Sequence, residues 1–313
     1  MAAFLTRRRQ SGWLSILPLS GRVVLAHVVR EREGRPSVRM LDNFAAENGV
    51  VDALGRLRTA RKLNTYACTT LRADGECSVT QLEAPPVPRE ERKEALRWSL
   101  KEMVNYPVET ACLDVLDMPA EGLPQGRAAG VLVVSAAEAT VRACAAPFDA
   151  AEVDLAAIDI PELAQRNIAA LLEDENRGLV FLRIDESGMM LTLTFRGELV
   201  AVRRSDMNSA QLGSRDEEQR GRVMERLLLE MQRSLDNFDR QYSHIPVSKV
   251  VVASYPHAEH LVEELRHGTY VPVVAMDLSA QVDFPGAPEL KSPEMQSRYL
   301  LALGAALRTG APA

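Results

Sequence analysis

The residues best suited to chemistry lie in a polar turn at 185–188. Residues 179–203 around it read as an apolar run, the turn, an alternating run, a second turn and a third run, which predicts a three-stranded meander. In such a turn a carboxylate can help to hold Mg²⁺, and a glycine lets backbone N–H groups approach a phosphate. Asp185, Ser187 and Gly188 are therefore candidate phosphate-binding residues.

A rougher copy of this pattern occupies residues 13–29. Two apolar runs there, 13–17 and 23–29, flank a turn predicted at 18–21. Ser20 and Gly21 are the residues of this turn that could still contact a phosphate. One such turn in each half of the chain indicates a duplicated layout.

Three histidines suggest a possible metal site. His257, His260 and His267 lie on or beside one predicted helix, and zinc would need further ligands nearby. Candidates for those ligands are Glu263, Glu264 and Asp277. Solvated surface side chains are the favoured interpretation, and a zinc site is the alternative.

Asp114 and Asp117 flank Leu116 and could form a carboxylate pair. We favour groups that solvate the end of a strand. The sequence contains no Gly-x-x-x-x-Gly-Lys-Ser/Thr loop, and Ser135 and Ser187 have no Gly-x-Ser-x-Gly setting. These absences argue against a P-loop enzyme and against a serine hydrolase.

Composition limits the class of protein. The 313 residues are enough for two ordinary domains, and 46% apolar with 26% charged residues is typical of a soluble globular protein. A net charge of -6 argues against a general nucleic-acid binder, although a local basic patch stays possible. The four cysteines are widely spaced without a Cys-x-x-Cys motif, which favours reduced thiols.

The N-terminal residues 1–10 carry Arg7, Arg8 and Arg9 after only a few apolar residues. A secretory signal has its charges first and a longer apolar core, so we expect a cytoplasmic protein. No apolar stretch reaches the length needed to span a bilayer. The arginines are interpreted as a solvated tail, with contact to anionic lipid as the alternative.

Hydrophobic periodicity predicts alternating strands and helices in the first part of the chain. The predicted strands here are 37–41, 66–72 and 77–82. The turn 73–75 contains Asp and Gly and is predicted to join the last two strands as a hairpin. An apolar stripe of Val51, Leu54, Leu57 and Leu63 predicts a helix between the first two strands.

Prolines 85, 86 and 88 then break the chain, and a helix is predicted at 89–104 with Leu96, Leu100 and Met103 on one face. Trp98 lies off this stripe and is predicted to pack against a nearby sheet, with exposure to a partner as the alternative. The predicted elements that follow are strands 110–116, 129–135 and 153–159, a loop at 122–126 and a helix at 136–145. Together they indicate a small inserted α+β subdomain.

The second half repeats the scheme. Its predicted helices are 217–241, 257–267 and a last one that opens at Ser292 and Pro293; a loop is predicted at 205–215, and strands at 249–253 and 271–276. The helix predicted at 161–172 precedes this half and returns the chain to domain 1. The long helix carries apolar residues at offsets that form one continuous stripe. In the last helix the inward-facing residues are predicted to be Met295, Tyr299, Leu303 and Leu307.

These elements predict a division into two halves with an insertion. The predicted units are 1–76 as the first part of domain 1, 77–155 as the inserted subdomain, 156–176 as the return to domain 1, 177–291 as domain 2, and 292–313 as a C-terminal helix on domain 1.

Three segments carry a family resemblance. They are 95–108, with Trp98, Glu102 and Pro107; 153–163, which would re-enter domain 1; and 229–241 in the long helix. In order and spacing the chain resembles the PilM family, including its MshI branch from mannose-sensitive haemagglutinin (MSHA) pilus systems. The cytoplasmic part of the secretion protein GspL is a more distant relative. The resemblance implies an actin-like α/β fold of the FtsA type: two RNase H-like halves with a small α+β subdomain in the first.

The resemblance also implies where ATP would bind. Nucleotide-binding relatives have an Asp and a Gly at the first turn, but here Leu17 and Leu19 occupy those positions and Pro18 removes an N–H donor. At the second turn Asp185 is kept, whereas Glu186 would place a negative charge beside a phosphate.

A third family turn is rich in glycine and accepts adenosine, but the corresponding turn 254–257 has none and contains Tyr255. We therefore expect a degenerate nucleotide site without ATP turnover and with no cofactor, although ATP with Mg²⁺ stays the alternative.

The family resemblance further implies a cytoplasmic scaffold of a type IV pilus assembly platform, held at the inner membrane by its partner. The partner would be a PilN-like inner-membrane protein whose cytoplasmic tail lies in a groove beside the inserted subdomain; other pilus or secretion platform components could also bind. Two alternatives stay open. One is an active ATPase that couples nucleotide state to pilus assembly or type II secretion. The other is a sugar-kinase-like enzyme, which lacks support because the glycine-rich phosphate loops are missing.

Overall fold

The structure of the chain, a computed structural model, describes residues 10–31, 34–73, 75–120, 130–254 and 258–310. Several sequence predictions lie outside these residues: the N-terminal arginines, Asp74 in the predicted hairpin turn, the loop at 122–126, and Tyr255 and His257. The side chain of His260 also lies outside the description.

Strands in the described residues form three sheets. They are β1 (Trp13–Leu19), β2 (Arg22–Val29), β3 (Ser37–Ala45), β4 (Ala67–Leu71), β5 (Ser78–Glu83), β6 (Cys112–Asp117), β7 (Gly130–Ala136), β8 (Leu155–Asp159), β9 (Gly178–Asp185), β10 (Gly188–Phe195), β11 (Glu198–Ser205), β12 (Val247–Ser254) and β13 (Val273–Ala275).

Helices cover the sheets and connect them. The α-helices of the described residues are α1 (Val50–Arg61), α2 (Arg92–Arg97), α3 (Glu138–Ala150), α4 (Pro161–Leu172), α5 (Ser209–Leu212), α6 (Glu217–Gln241), α7 (Ala258–Gly268), α8 (Pro293–Arg298) and α9 (Leu300–Ala306). None of the helices in the described ranges combines the length and the apolar character needed to cross a bilayer.

Two five-stranded sheets repeat one topology. The first has the order β3-β2-β1-β4-β8, and the second has the order β11-β10-β9-β12-β13. In each sheet three antiparallel strands form a meander, and two parallel strands extend it. The sequence prediction of a duplicated α/β layout is confirmed. A third, antiparallel sheet has the order β5-β7-β6.

The first meander turn is shorter than predicted. Pro18 pairs with Val23 and Leu19 pairs with Arg22, so β1 continues to Leu19 and only Ser20 and Gly21 form the turn. The prediction of a turn at 18–21 is therefore wrong for Pro18 and Leu19. Parallel pairing with β4 covers only the start of β1, and a proline is tolerated where a strand is unpaired on one side.

The hairpin predicted at 73–75 is wrong. β4 pairs in parallel with β1 and β8 of the first sheet, whereas β5 pairs with β7 of the third sheet. An Asp-Gly turn favours a local chain reversal, but it does not decide whether the two flanking strands pair with each other. Here the turn carries the chain from domain 1 into the inserted unit.

The helix predicted at 89–104 is also shorter. A 3-10 turn at Arg89–Glu91 leads into α2, and a second 3-10 turn at Trp98–Leu100 ends the helical segment. Met103 is 56% exposed, contrary to its predicted place on the buried face, because the helical geometry has ended before it.

Leu96 and Leu100 attach this segment to the third sheet, where both are buried in one cluster with Val131 and Val133 of β7. Trp98 lies two residues from each leucine, and two residues turn a helix by about 200°. The ring therefore projects away from the sheet and is 57% exposed. The prediction that Trp98 packs against the sheet is wrong.

The helix and strand after β7 join the first sheet. α3 buries Phe148 in the same core as Leu54 and Leu57 of α1, and β8 pairs in parallel with β4. Their prediction as parts of the inserted subdomain is wrong, since their order along the chain does not decide which sheet they contact. Val51 of the predicted α1 stripe is exposed, whereas Leu54 and Leu57 are buried as predicted.

α4 and α9 lie between the two large sheets: α4 is hydrogen-bonded to the second sheet, α9 to the first, and the two helices to each other. Gln165 of α4 donates to the carbonyl of Phe181 at 3.0 Å in the second sheet, and Asn167 donates to the carbonyl of Gly304 in α9 at 2.8 Å. Ser15 of the first sheet donates to the carbonyl of Ala302 in α9 at 2.7 Å. These buried hydrogen bonds connect the halves through two helices.

The second half agrees closely with the sequence. α4 and α6 have the predicted bounds, and the apolar stripe of α6 buries Leu227, Met231, Leu235 and Phe238. The predicted loop at 205–215 contains the short α5, capped by Asn208 and Gln211. The predicted last helix is divided at Tyr299 into α8 and α9.

Leu100→Ala should lower the free energy of unfolding by about 2–5 kcal/mol, since Leu100 is 1% exposed and its removal leaves a cavity. Met103→Ala is the matched control and should change it by less than about 0.5 kcal/mol because Met103 is largely exposed. Urea denaturation followed by circular dichroism measures both. Equal effects of the two substitutions would mean that the segment is oriented differently on the sheet.

Candidate functional site

The first hairpin turn offers few groups for a phosphate or a cation. Leu17 is buried in the core beneath the turn, and Leu19 is a partly exposed apolar side chain, so neither can bind Mg²⁺. The carbonyl of Gly21 accepts a hydrogen bond from the N–H of Ala46 at 2.9 Å, which ties the turn to the end of β3. Ser20 and Gly21 contribute backbone N–H groups and one hydroxyl to this site.

The second turn keeps a carboxylate, but the protein itself already binds it. Asp185 Oδ1 accepts hydrogen bonds from the backbone N–H of Ser187 at 2.9 Å and from its hydroxyl at 2.5 Å. Asp185 Oδ2 forms an ion pair with Nη1 of Arg183 at 3.1 Å. A cation at Asp185 would have to compete with a guanidinium on the same strand.

Gly188 has a structural explanation that needs no phosphate. Its φ is +141°, and a Cβ at this position would lie 2.7 Å from the carbonyl oxygen of Ser205 on the far strand of the meander. A glycine is therefore required for the close approach of β10 and β11. Its presence in the turn carries no information about a ligand.

Buried charges fill the region between this meander and α4. Arg183 is 4% exposed, and Glu162 in the first turn of α4 is 1% exposed and forms an ion pair with Arg204 of β11. Arg183 and Arg204 both pair across β10 with Met190, so the two arginines lie on one face of the sheet. This cluster joins α4 of the first half to the meander of the second.

Sequence reasoning missed this cluster. Arg183 interrupts the apolar run of β9, and a charged residue inside a buried strand signals a buried ionic partner. Glu162 stands in the first turn of a helix, where the helix dipole favours an acidic residue, so the sequence gives no signal of a buried partner. Only the packing of α4 on the second sheet brings Glu162 and Arg204 together.

The implied Mg·ATP does not fit these residues. The two turns contain two carboxylates, Asp185 and Glu186. Asp185, the one at the family position, accepts two hydrogen bonds and pairs with Arg183. Binding of Mg²⁺ through oxygen ligands would require these contacts to break. The third expected turn begins at Ser254, and its remaining residues lie outside the described ranges.

A cavity of about 760 Å³ nevertheless lies beside Ser254, between α6 and α7. Its lining combines apolar side chains with charged residues of α6; among them are Leu212, Met224, Leu261, Glu217, Arg220 and Glu225. This space could accept a small, partly apolar molecule, and it is the feature that best supports the alternative of a retained nucleotide.

A groove of similar volume, about 760 Å³, separates the third sheet from the first half. One wall is β6 with Asp114, Leu116 and Asp117, and the other comprises the end of β8 and the first part of α4. Arg196 from the β10–β11 turn and Arg308 after α9 complete the lining. The groove therefore touches the inserted unit and both large sheets.

Ion pairs balance the charges in this groove. Asp159 pairs with Arg308 at 2.8 Å, and Glu198 pairs with Arg166 at 3.7 Å. Arg166 also donates to the carbonyl of Gly197 at 3.3 Å. The surface is polar and locally neutral, so a bound segment would gain mainly from hydrogen bonds and from apolar contacts.

β6 is the last strand of its sheet, so its outer edge has no strand partner among the described residues. Backbone N–H and C=O groups on such an edge can pair with an extended peptide. One of the N–H groups of β6, that of Val115, already donates to Asp114 Oδ1 at 3.0 Å. Asp114 pairs with Lys93 at 2.9 Å and Asp117 pairs with Arg92, both on α2. The two carboxylates are thus held by ion pairs to α2 and do not form a catalytic pair.

The suggested zinc site finds no support in the described part of the chain. No group of three or more potential ligands is close enough to hold a metal ion there. His267 lies near Glu263 at 3.9 Å and is largely exposed, as expected of a solvated side chain. His257 and the His260 side chain lie outside the description.

Comparisons with known proteins show the fold. No family profile and no curated protein matches the sequence. Among solved structures, the PilM-PilN type IV pilus biogenesis complex aligns with a TM-score of 0.76 at 18% identity, over 96% of this chain and 98% of the other. The cytoplasmic domain of EpsL, an inner membrane component of the Vibrio cholerae type II secretion system, aligns with a TM-score of 0.47 at 13% identity, over 92% and 94%.

A Bacteroides thetaiotaomicron protein with an actin-like ATPase fold and unknown function also has a TM-score of 0.47, at 10% identity over 95% and 98%. The chain has the actin-like α/β fold, and this sequence prediction is confirmed. At 18% identity the similarity establishes architecture alone.

The charged cluster predicts an unreactive thiol. Burial, followed by the carboxylate of Glu162, raises the pKa of Cys77 to about 11, whereas a free cysteine titrates near 8.5. At pH 8 the thiolate fraction is then about two orders of magnitude lower than for a free thiol. Iodoacetamide should therefore label Cys77 slowly at pH 8. The labelling rate should rise about tenfold with each pH unit until the pH approaches the pKa of about 11. Peptide mass spectrometry measures the rates.

The control is the same thiol in denaturant, where the pH dependence of its labelling rate should be that of an ordinary cysteine. A native labelling profile with its midpoint below pH 9 would contradict the buried environment described for Cys77.

Proposed function

We propose that this chain is a PilM-like scaffold of a type IV pilus assembly platform of the MSHA type. It binds the cytoplasmic tail of a PilN-like inner-membrane protein and does not turn over ATP. The resemblance of segments 95–108, 153–163 and 229–241 supports the family, and the fold shared with a PilM-PilN complex agrees with it. A type II secretion platform is the alternative setting.

The observation that carries the proposed loss of ATP turnover is the state of Asp185. In an actin-like ATPase a carboxylate at this turn would orient Mg²⁺ and water against the phosphates. Here the carboxylate is bound by Ser187 and Arg183 of its own hairpin. The first turn offers Leu17 and Leu19 where a carboxylate and a glycine would be needed.

The groove beside β6 supports the proposed partner. Its volume suits a segment of extended chain, its β6 edge can pair with peptide backbone, and apolar residues such as Leu116 and Leu163 line it. Binding of an inner-membrane partner's tail here would hold the protein at the membrane. In the aligned structure PilM and PilN form a complex, and we transfer that pairing to this chain as part of the proposal.

An active ATPase is the second candidate, and the cavity beside Ser254 favours it. A nucleoside could occupy that space even where the phosphate turns are degenerate. Binding without turnover would then distinguish a retained nucleotide site from an enzyme. The two proposals differ in whether phosphate is released, which a direct assay measures.

Isothermal titration with Mg·ATP should show no binding tighter than the high-micromolar range, about 5–6 kcal/mol of binding free energy. The physical reason is that Asp185 pairs with Arg183 and that Leu17 cannot bind a cation. Phosphate release should equal that of a buffer control. Arg183→Ala, which removes the ion pair to Asp185 Oδ2 and leaves the hydrogen bonds of Ser187 to Oδ1, is an informative second titration that should raise the affinity for Mg·ATP if the ion pair blocks the cation.

Micromolar binding of Mg·ATP by the unmodified chain together with steady hydrolysis would contradict the proposal and favour the active ATPase. Micromolar binding without hydrolysis would keep the scaffold role and add a structural nucleotide.

Membrane association should depend on the partner. Deleting the PilN-like protein in the native host should move this chain to the soluble fraction, whereas removing residues 1–10 should leave most of it at the membrane. Three arginines contribute only about 3 kcal/mol in total on an anionic surface. Ala120→Trp, which narrows the groove, should have the same effect as the deletion, and Ala60→Trp on the exposed side of α1 is its matched control.

Fractionation and immunoblotting measure these outcomes. Release by the truncation alone, with no effect of the partner deletion or of Ala120→Trp, would show that lipid contact anchors the protein.

A further inference from the structure

The outer face of the α2 segment is an exposed surface with a defined composition. Residues three or four positions apart share one side of a helix. On the side opposite the buried Leu96 and Leu100 lie the exposed Glu91, Glu94 and Trp98, and the exposed Lys101 and Glu102 follow directly after the helical segment. We call these five residues the Trp98 face. Trp98 does not line the groove beside β6, so this surface is separate from the proposed tail-binding site.

Most basic residues of this segment already form contacts within the protein. Arg92 and Lys93 pair with Asp117 and Asp114 of β6. Arg97 donates to the carbonyl of Ala111 at 3.0 Å and to that of Val108, and it also contacts Glu94 at 3.2 Å. Internal contacts therefore use these cations, and the Trp98 face has a single lysine beside three glutamates, of which Glu94 pairs with Arg97.

The Trp98 ring already lies close to a cation. The Nζ atom of Lys101 lies 5.9 Å from the centroid of the Trp98 ring, within the range of a cation–π contact. Lys101 is an exposed and flexible side chain, so a partner's guanidinium could take its place at little cost. An arginine also stacks more effectively on an aromatic face than a lysine does.

We propose that the Trp98 face docks a cationic, arginine-containing segment of a partner protein. The guanidinium stacks on Trp98, and the neighbouring Glu91, Glu94 and Glu102 neutralise the remaining positive charges. Tryptophan is enriched among the residues that dominate binding energy at interfaces, and burying a ring that is 57% exposed would supply the apolar part of the contact.

The charge of the Trp98 face favours a basic protein segment over other classes of partner. Nucleic acid and anionic membrane both carry negative charge, and three glutamates around the ring would repel them. A second copy of the chain would have to place an arginine against the same face, which self-association measurements would detect. A basic protein segment is the occupant that satisfies both the ring and the carboxylates.

The test uses the full chain and a short synthetic peptide that alternates arginine and leucine, with blocked ends. Isothermal titration at low salt should show binding that weakens as salt is added, because the attraction is electrostatic. Trp98→Ala should weaken it about tenfold, equivalent to about 1.4 kcal/mol, and the triple Glu→Gln variant at 91, 94 and 102 should remove most of the salt dependence. Since Trp98 is exposed, its replacement should leave the fold intact, which circular dichroism checks.

Three controls separate this surface from others. Leu229→Ala changes an exposed apolar residue on α6 and should leave the affinity unchanged. Ala120→Trp in the groove should also have no effect, so a failed tail-binding proposal and a failed Trp98 proposal give different results. A peptide with glutamate in place of arginine should not bind.

Equal affinity of the Trp98→Ala variant and the unmodified chain would overturn the proposal. Failure of the peptide to bind at millimolar concentration would also overturn it. The same holds if Leu229→Ala weakens binding as much as Trp98→Ala does. Self-association that disappears with Trp98→Ala would assign the face to a second copy of the chain instead.

Discussion

The close contact between α4 and α9 determines how the two halves of this protein sit together. A Cβ on Gly304 would lie 2.2 Å from the carbonyl oxygen of Ala164, so the helices meet backbone to backbone and any side chain at 304 would force them apart. Gln165 extends this contact to the second sheet and Ser15 extends it to the first. Because buried amide and hydroxyl groups are costly to leave unpaired, these hydrogen bonds select one relative placement of the sheets.

This fixed placement explains the chemistry of the region between the meanders. Once α4 is held on the second sheet, Glu162 lies against Arg204, beside the pair that Arg183 forms with Asp185 of its own strand. A buried ion pair gives little net stability because both charges lose their hydration, but removing one partner leaves an uncompensated charge. The protein's own ion pairs therefore occupy the space between the second meander and α4.

Sequence reasoning succeeded where periodicity decides the structure and failed where tertiary contacts do. The long stripe of α6 and the Pro161 that opens α4 predicted both helices with their bounds. The turn at 73–75 predicted a reversal but not the sheets that receive its strands.

At the candidate site, the sequence placed Asp185 and Ser187 in one turn, and the structure shows them hydrogen-bonded to each other. It could not predict the pairing of Glu162 with Arg204, because 42 residues separate them and only the fold brings them together. Trp98 was recognised as lying off the Leu96–Leu100 stripe, but a large aromatic ring was still expected to pack against a sheet. The face of the segment opposite those leucines is exposed instead.

The inserted unit lies against both halves of the protein. Its own core of Leu96, Leu100, Val131 and Val133 is small, but Met118 and Leu132 belong to the core of the second half. Tyr242, after α6, donates to Gln81 of β5 at 2.6 Å. The third sheet therefore rests on the second half while its β6 edge faces α4 and β8 of the first. A segment bound in the groove would contact both halves and the insertion at once, so its affinity depends on the placement that the α4–α9 contact fixes.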